Sequence, residues 1–320
     1  MLNIIQNLEN HNANLIDIAA YNEFLNKVID REEPLTDDEI KIIMTEAFIA
    51  FSRVPEVRQK YAQIKNDRNK LAKLFDDAPY DIKSQILDMY CLCRMSYNWL
   101  RYKQIYKFDP DTLKLLSENK QKITNEVLEN LNLPYDHFAI ENEFKLSDGN
   151  IDSVLVRKDG GEYTFYLFYK EDKKLFRHAI LQFSTKKLDF EEFIKDADKD
   201  FVYMYTTLFN MLMYLAQPKV EILKKKSEIK QRKNPKHFYS LSYEENEVGY
   251  SLGAAIRNYK YVYEHSESHN IGSSKRPHMR CGHFHHYWTG EGRKKLIVKF
   301  VEPTFVKGSS AKTPTLRKVK

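Results

Sequence analysis

Apolar residues recur at helical spacing along the first third of the chain. Between residues 40 and 51 they occupy positions i, i+3, i+4, i+7, i+8 and i+11, which lie on one face of an amphipathic helix. Comparable patterns cover residues 57–75, 79–106 and 110–131. The pattern therefore predicts a helical N-terminal region over residues 1–131.

Alternation of apolar and polar residues replaces the helical period in the middle of the chain. Residues 151–156 and 163–169 alternate, and the glycine-containing segment 159–161 predicts a tight turn between two strands. The nearly unbroken apolar run at 201–215 predicts a buried helix. We interpret residues 132–223 as an antiparallel sheet together with this buried helix.

A lysine-rich segment with one proline, residues 224–237, predicts an exposed linker and begins a third region over residues 224–320. Residues 252–263 fit a helix or a strand. Further on, residues 282–288 and 295–301 flank Thr-Gly-Glu-Gly, a turn sequence that predicts a β-hairpin. Because side chains alternate along a strand, one face of this hairpin should carry Phe284, His286 and Trp288, and the other His283, His285 and Tyr287.

Together these regions predict an α+β fold, in which the helical N-terminal region packs on an antiparallel β-sheet and a basic C-terminal α+β region contains the hairpin. The chain has 320 residues, of which 42% are hydrophobic and 13% aromatic, and this composition is typical of a folded globular protein. The sequence shows neither a long apolar run nor a signal-peptide pattern, so we expect a cytoplasmic protein with no membrane partner. Cys91, Cys93 and Cys281 form no recognisable disulfide or zinc pattern.

Charge is unevenly distributed along the chain. The net charge is +6, but residues 224–320 contain 21 Lys and Arg against 8 Asp and Glu, a net charge of +13 that leaves residues 1–223 at −7. A strongly basic region attracts polyanions and accelerates their encounter, so nucleic acid or a ribosomal surface is a plausible partner of the C-terminal region. The alternative interpretation is that the lysine runs are solvated charges that maintain solubility.

Histidine, arginine and aromatic residues are concentrated between residues 275 and 290. Six of the ten histidines lie between His265 and His286. Arginine and lysine bind phosphate, and aromatic rings stack on bases, so this composition favours contact with RNA. The residues that we expect to contact nucleic acid or the ribosome are Lys275, Arg276, His278, Arg280, His283, His285, Tyr287, Arg293 and Lys294.

The same histidines allow a metal site or catalysis. Strand geometry places His283 and His285 on one side about 7 Å apart, where they could share a metal with His278. Glu291 is the only acidic residue between 268 and 301, so carboxylate ligands are scarce and we predict neither a metal nor another cofactor.

Catalysis and burial are the remaining interpretations of the histidine block. His278, His283 or His285 with nearby arginines would suit metal-free RNA cleavage, because imidazole titrates near neutral pH. Nothing in their spacing is specific to nucleases, so we favour binding over catalysis and assign no catalytic residue. In the third interpretation, the hairpin face of Phe284, His286 and Trp288 is part of the core.

The block resembles the second described family of type V-A anti-CRISPR proteins. The shared motif is Arg-Pro-His-x-Arg-x-Gly-His-aromatic-His-x-Tyr-Trp-x-Gly at residues 276–290, followed by Pro-x-Phe-Val at 303–306. The chain departs from the family's pattern in its N-terminal hundred residues, and it has Cys281 and Phe284 where relatives carry arginine and tryptophan. Weaker agreements extend the resemblance over most of the length and include Trp99, residues 105–109, 132–134 and 208–218, Leu252, Gly253, Arg257 and Tyr259.

This resemblance implies an anti-CRISPR function in a host bacterial cell. Members of the family are understood to recognise the N-terminal peptide of a type V-A CRISPR effector nuclease as it emerges during translation, which leads to loss of the effector's mRNA. The implied partners are that nascent peptide and either the mRNA or the ribosome, although the motif does not indicate which residues bind the peptide. The alternatives are a histidine-dependent ribonuclease and a general RNA-binding protein of a phage or plasmid.

Overall fold

The structure, a computed structural model of the chain, describes residues 59, 99, 102–169, 178–228, 242–265, 278–280, 282–293 and 295–306. Most of the predicted helical region at 1–131 therefore lies outside the described residues. The chain divides into two compact units, each assembled from separate segments. The first comprises residues 1–107, 135–184 and 224–246, and the second comprises residues 108–134, 185–223 and 247–320. The mixture of helices with a large sheet confirms the predicted α+β class.

An eight-stranded sheet dominates the first unit. Its strands are β1 (Gln104–Phe108), β2 (His137–Ile140), β3 (Phe144–Leu146), β4 (Gly149–Asp159), β5 (Glu162–Tyr169), β6 (His178–Ser184), β7 (Ile222–Glu228) and β8 (Ser242–Val248). They lie in the order β6-β5-β4-β2-β1-β8-β7, and β3 also pairs with β4. The described pairs among β2 to β6 are antiparallel as predicted, whereas β1 and β2 are parallel.

The strands β4 and β5 form the hairpin at the centre of the predicted meander. Gly160 lies in its turn with a φ of 57°, a conformation that glycine adopts without steric cost. Val154, Leu155 and Val156 are consecutive in β4 and each is at most 1% exposed. Because neighbours in a strand point to opposite faces, this burial shows that both faces of the sheet are covered at β4.

The strand β1 corrects the last three residues of the helix predicted at 79–106, while Trp99 and Tyr102 are helical and residues 79–98, 100 and 101 lie outside the described part of the chain. Gln104–Phe108 is a strand that pairs in parallel with β2 through Ile105 and Tyr106. Both of these side chains are buried although they point to opposite faces, so the strand lacks the apolar and polar alternation that would have identified it. The indole Nε1 of Trp99 donates to the carbonyl of Gln104 at 2.9 Å and so anchors the start of the strand.

The strand β7 corrects part of the linker predicted at residues 224–237. Residues up to Glu228 belong to the strand, and residues 229–237 lie outside the described part of the chain. β7 stands at the end of the sheet order, where Lys224 and Lys225 are exposed. Lysines are common on edge strands because they discourage pairing with other chains. In β7 they replace the apolar residues whose alternation would have predicted a strand.

Five helices and four strands are described in the second unit. The helices are α1 (Pro110–Ser117), α2 (Asn125–Glu129), α3 (Phe190–Ile194), α4 (Lys199–Leu215) and α5 (Tyr250–His265). The strands are β9 (His278–Arg280), β10 (His283–Thr289), β11 (Lys295–Val301) and β12 (Thr304–Val306). None of the described helices is long and apolar enough to cross a membrane. α5 resolves the ambiguity of residues 252–263 in favour of a helix.

Two short helices replace the single helix predicted at residues 110–131. Asp109 caps α1 by accepting from the N–H groups of Asp111 and Thr112. Thr124 caps α2 in the same way through the N–H of Val127. The second cap shows why the helix does not continue, because a threonine hydroxyl bonded to the backbone stabilises a new helix start.

The helix α4 confirms the predicted buried helix. Eleven of its 17 residues are buried, including all of those from Thr207 to Leu215. Phe209 packs edge to face on Phe190 with ring centroids 5.1 Å apart. The amide of Asn210 is also buried and donates to the carbonyls of Leu116 and Asn119, which fixes the segment after α1 on α4.

A charged cluster connects α1 with α5. The guanidinium of Arg257 lies 2.9 Å from carboxylate oxygens of both Asp109 and Asp111, and Lys260 lies 2.6 Å from Asp111. Gly253 allows this approach, because a Cβ atom there would overlap the carboxylate of Asp109. Burial disfavours the charged form of Asp111, but the hydrogen bonds from Lys260 and Arg257 outweigh it and lower the pKa of the carboxyl.

Candidate nucleic-acid interface

The histidine block folds into the predicted hairpin. β10 and β11 are antiparallel, with Phe284 opposite Phe300 and His285 opposite Lys299. Gly290 and Gly292 in the connecting loop have φ angles of 81° and 69°, which explains the glycines of the predicted turn sequence. The prediction of a hairpin at 282–301 is confirmed.

The inner face of the hairpin carries Phe284, His286 and Trp288. Phe284 is fully buried, and its ring lies 5.1 Å from that of Phe300, which in turn lies 5.1 Å from Tyr214 of α4. Trp288 is 54% exposed, so the predicted core face ends before the tip of the hairpin. Packing against an aromatic helix thus fixes the base of the hairpin and leaves its tip in solvent.

Polar contacts also fix the position of the hairpin. The side chain of Asn119 donates to the carbonyl of Gly282 at 3.4 Å, just before β10 begins. The amide of Gln217 contacts the backbone of β11, donating to the carbonyl of Val298 at 3.3 Å and accepting from the N–H of Phe300 at 3.0 Å. The outward side chains are therefore carried by an anchored ribbon.

The outer hairpin face is defined by His283, His285, Tyr287 and Lys299. All four side chains are exposed. The rings of His285 and Tyr287 lie 4.5 Å apart at an interplanar angle of 37°. Lys299 Nζ lies 5.4 Å from the centroid of Tyr287, a cation–π geometry. The structure thus brings His285, Tyr287 and Lys299 into one cluster of two rings and a cation.

The other residues expected to contact nucleic acid are distributed around the hairpin. Arg280 is exposed in β9, and Arg293 is exposed in the short 3-10 helix Glu291–Arg293 between the hairpin strands. His278 belongs to β9 by its backbone, while its side chain lies outside the described part. Lys275, Arg276 and Lys294 also lie outside the described residues.

Lys299 is the residue that the sequence pattern missed. It lies outside the dense histidine block, but it stands directly opposite His285 in the hairpin register. The predicted strands, 282–288 and 295–301, would pair Trp288 with Lys295, whereas the structure pairs Thr289 with Lys295. This difference of one residue places Lys299 opposite His285, and the turn sequence alone does not indicate it.

The histidines of the hairpin differ in their environments. Nδ1 of His285 lies 3.0 Å from the carbonyl oxygen of His286 and must donate to it, so Nε2 is the nitrogen left for a ligand. His286 is half-buried, and burial, followed by the proximity of His285, lowers its pKa. Among the described residues, no group of three His, Cys, Asp or Glu is arranged to hold a metal ion.

The family follows from the comparison with known proteins. A sequence model described as AcrVA2-like, the anti-CRISPR type V subtype A2 family, matches residues 106–308, which include α4, the complete hairpin and the last three residues of β1. The chain belongs to this family. Its role is therefore that of an anti-CRISPR protein, as the resemblance of the histidine block implied.

The chain is similar to the crystal structure of AcrVA2, with 15% sequence identity over 78% of this chain and 92% of that chain, and with a TM-score of 0.48. No curated protein matches the chain significantly.

Proposed function

We propose that this anti-CRISPR protein lowers the synthesis of a type V-A CRISPR effector nuclease by recognising the effector's nascent N-terminal peptide, which leads to loss of the effector's mRNA. The observation that carries the proposal is the family match over residues 106–308. The match includes the anchored hairpin, whose outer face has the composition of a surface that contacts RNA.

The proposed activity needs two contacts, one with the peptide and one with the translating complex. We assign the second contact to the outer hairpin face together with Arg280 and Arg293, which contact the mRNA or the ribosome. The charge of +13 over residues 224–320 supports this assignment, because it matches a polyanionic partner. We assign the peptide to another part of the protein, where it binds in an extended form by strand addition.

Three reporters test whether the peptide or the RNA sequence is recognised. The first carries the effector's initial codons ahead of a fluorescent protein, the second encodes the same peptide with synonymous codons, and the third shifts the reading frame of the same RNA. Transcript levels are measured with and without the protein. We expect the first two transcripts to fall and the third to remain unchanged.

The opposite pattern would contradict the proposal. If the frame-shifted transcript falls and the recoded transcript does not, the protein recognises RNA sequence. If all three remain unchanged while the effector's cleavage activity is inhibited, the protein acts on the finished nuclease instead.

The division between the two contacts is tested with synthetic effector N-terminal peptides. We expect wild type and the double variant Arg280→Ala/His283→Ala to bind the peptide equally, because the substitutions lie in the proposed RNA or ribosome contact. The double variant should nevertheless fail to lower the reporter transcript. Loss of peptide binding in the double variant would show that one surface serves both contacts.

A second candidate function is a histidine-dependent ribonuclease. The observation that favours it is the exposure of both His283 and His285 on one face of the hairpin, where two imidazoles could act as acid and base. Purified protein is incubated with labelled RNA, with and without a chelator. Cleavage that persists with chelator and disappears in His283→Ala or His285→Ala would replace the binding mechanism with this one.

A further inference from the structure

The cluster of His285, Tyr287 and Lys299 has a geometry that intramolecular packing does not require. Tyr287 is 40% exposed and lies on the face opposite the buried Phe284, so its ring adds little to the core. Same-face contacts in a two-stranded ribbon stabilise it only weakly. A solvent-exposed pair of rings beside a cation is therefore better explained by a ligand than by stability.

The charge of the outer face indicates what kind of ligand fits. By the hairpin register, this face carries residues 283, 285, 287 and 289 of β10 and residues 295, 297, 299 and 301 of β11, and none of these eight is acidic. A cationic surface selects an anion, and exposed rings select a flat partner. Single-stranded nucleic acid combines both properties, because its unpaired bases are free to stack while its phosphates remain charged.

We propose that His285, Tyr287 and Lys299 form a stacking platform for one base of single-stranded RNA. The base stacks on the exposed aromatic pair, and Lys299 binds an adjacent phosphate. Nε2 of His285 is available for a hydrogen bond to the same nucleotide, since Nδ1 is engaged by the carbonyl of His286. The choice of RNA rather than DNA rests on the proposed function, in which the protein acts at a translated transcript.

The platform is tested by measuring binding of the full-length protein to a fluorescent, unstructured RNA oligonucleotide by anisotropy. Tyr287→Ala should weaken binding roughly 5- to 100-fold, the range expected when a base loses its stacking partner. Tyr287→Phe should restore most of the affinity, because it keeps the ring. Lys299→Gln should weaken binding and reduce the slope of log K against log salt by about 0.7, the contribution of one phosphate.

The matched control is Tyr261→Ala. Tyr261 is 62% exposed on α5 of the same unit, so the substitution removes an exposed tyrosine that belongs to a helix and not to the hairpin. We expect it to leave RNA affinity unchanged. Equal losses in Tyr261→Ala and Tyr287→Ala, or equal affinity of Tyr287→Ala and wild type, would overturn the platform. Circular dichroism of each variant verifies that the fold is retained.

Two further binding measurements, with single-stranded DNA and with duplex RNA, identify the ligand. DNA of the same sequence should bind more weakly than RNA, and duplex RNA should not respond to Tyr287→Ala, because its bases are already stacked. Preference for the DNA strand would overturn the assignment to RNA. Binding to purified ribosomes without binding to free RNA would also overturn the platform and indicate a ribosomal protein surface.

The reporter assay separates this inference from the proposed function. Transcript lowering without RNA binding would refute the platform and leave the proposed function intact. RNA binding that depends on Tyr287, without any effect on the reporter, would support the platform and refute the proposed function.

Discussion

The side-chain amide of Gln217 stands beside Phe300 as a third strand would. Its Oε1 accepts from the N–H of Phe300 at 3.0 Å, and its Nε2 donates to the carbonyl of Val298 at 3.3 Å. In a strand, the carbonyl of residue i and the N–H of residue i+2 point to the same side, so one planar amide satisfies both groups. The outer edge of β11 is closed at these two residues by a side chain that follows α4.

Replacing Gln217 with leucine should open this edge. The half-buried backbone groups of Val298 and Phe300 would lose their partners, at a cost of about 1–3 kcal/mol in the free energy of unfolding. Urea denaturation measures the cost, and hydrogen exchange locates it. We expect the Phe300 amide to exchange faster, while the β11 amides that bond to β10 keep their protection. Unchanged exchange at Phe300 would contradict the contact.

The hairpin was the most predictable part of the structure, and its anchoring was the least. The turn glycines and the alternation from His283 to Trp288 indicate a hairpin and its two faces from local sequence alone. Gln217 and Asn119 lie about 80 and 160 residues away from their backbone partners in the hairpin, and nothing in the spacing of polar residues indicates such contacts. Those contacts depend on tertiary packing, which the spacing of residues along the chain does not describe.

The strand β1 illustrates a different limit. The spacing of apolar residues distinguishes a strand from a helix only when one face of the element is exposed to solvent. Both faces of β1 are buried, so its apolar residues do not alternate with polar ones. The lysine run of β7 causes a different error, because its exposed charges predict a linker although its backbone is paired in the sheet.

Gly253→Ala should destabilise the second unit even though alanine favours helices. The added methyl group would overlap the carboxylate of Asp109, which caps α1 and pairs with Arg257. Displacing that carboxylate should cost about 1–3 kcal/mol, more than the helix propensity gained. Asn258→Ala is the control, because it lies exposed on the same helix and should leave stability unchanged or slightly higher. Equal effects of both substitutions would refute the steric argument.

Asp111 should make stability depend on pH in the acidic range. Its pKa is lowered in the folded state, so its contribution is present above the unfolded pKa of about 4 and is lost as the pH falls through the folded pKa. Its partners Arg257 and Lys260 are each 48% exposed, which limits the contribution to about 1 kcal/mol or less. Asp111→Asn should flatten the acidic limb of a plot of unfolding free energy against pH. An acidic limb identical to wild type would show that the cluster contributes nothing.

Tyr214 should make stability depend on pH in the alkaline range. Burial, together with Glu302 and Glu221, raises the pKa of Tyr214 to about 12 from its ordinary value of 10.0. A raised pKa means that the folded state holds the proton more tightly, so the stabilisation is complete below pH 10 and is lost as the pH rises towards 12. The total loss corresponds to about 2–3 kcal/mol for a shift of this size.

The variant Tyr214→Phe isolates this contribution. Burial also raises the pKa of Tyr106 in the first unit, so wild type should lose stability at high pH for two reasons. The phenylalanine keeps the ring that packs 5.1 Å from Phe300 and removes only the ionising hydroxyl. Its alkaline limb should therefore be shallower than that of wild type, and the hairpin amides should stay protected to higher pH. If the two proteins lose stability in parallel, ionisation of Tyr214 does not control how the hairpin packs on α4.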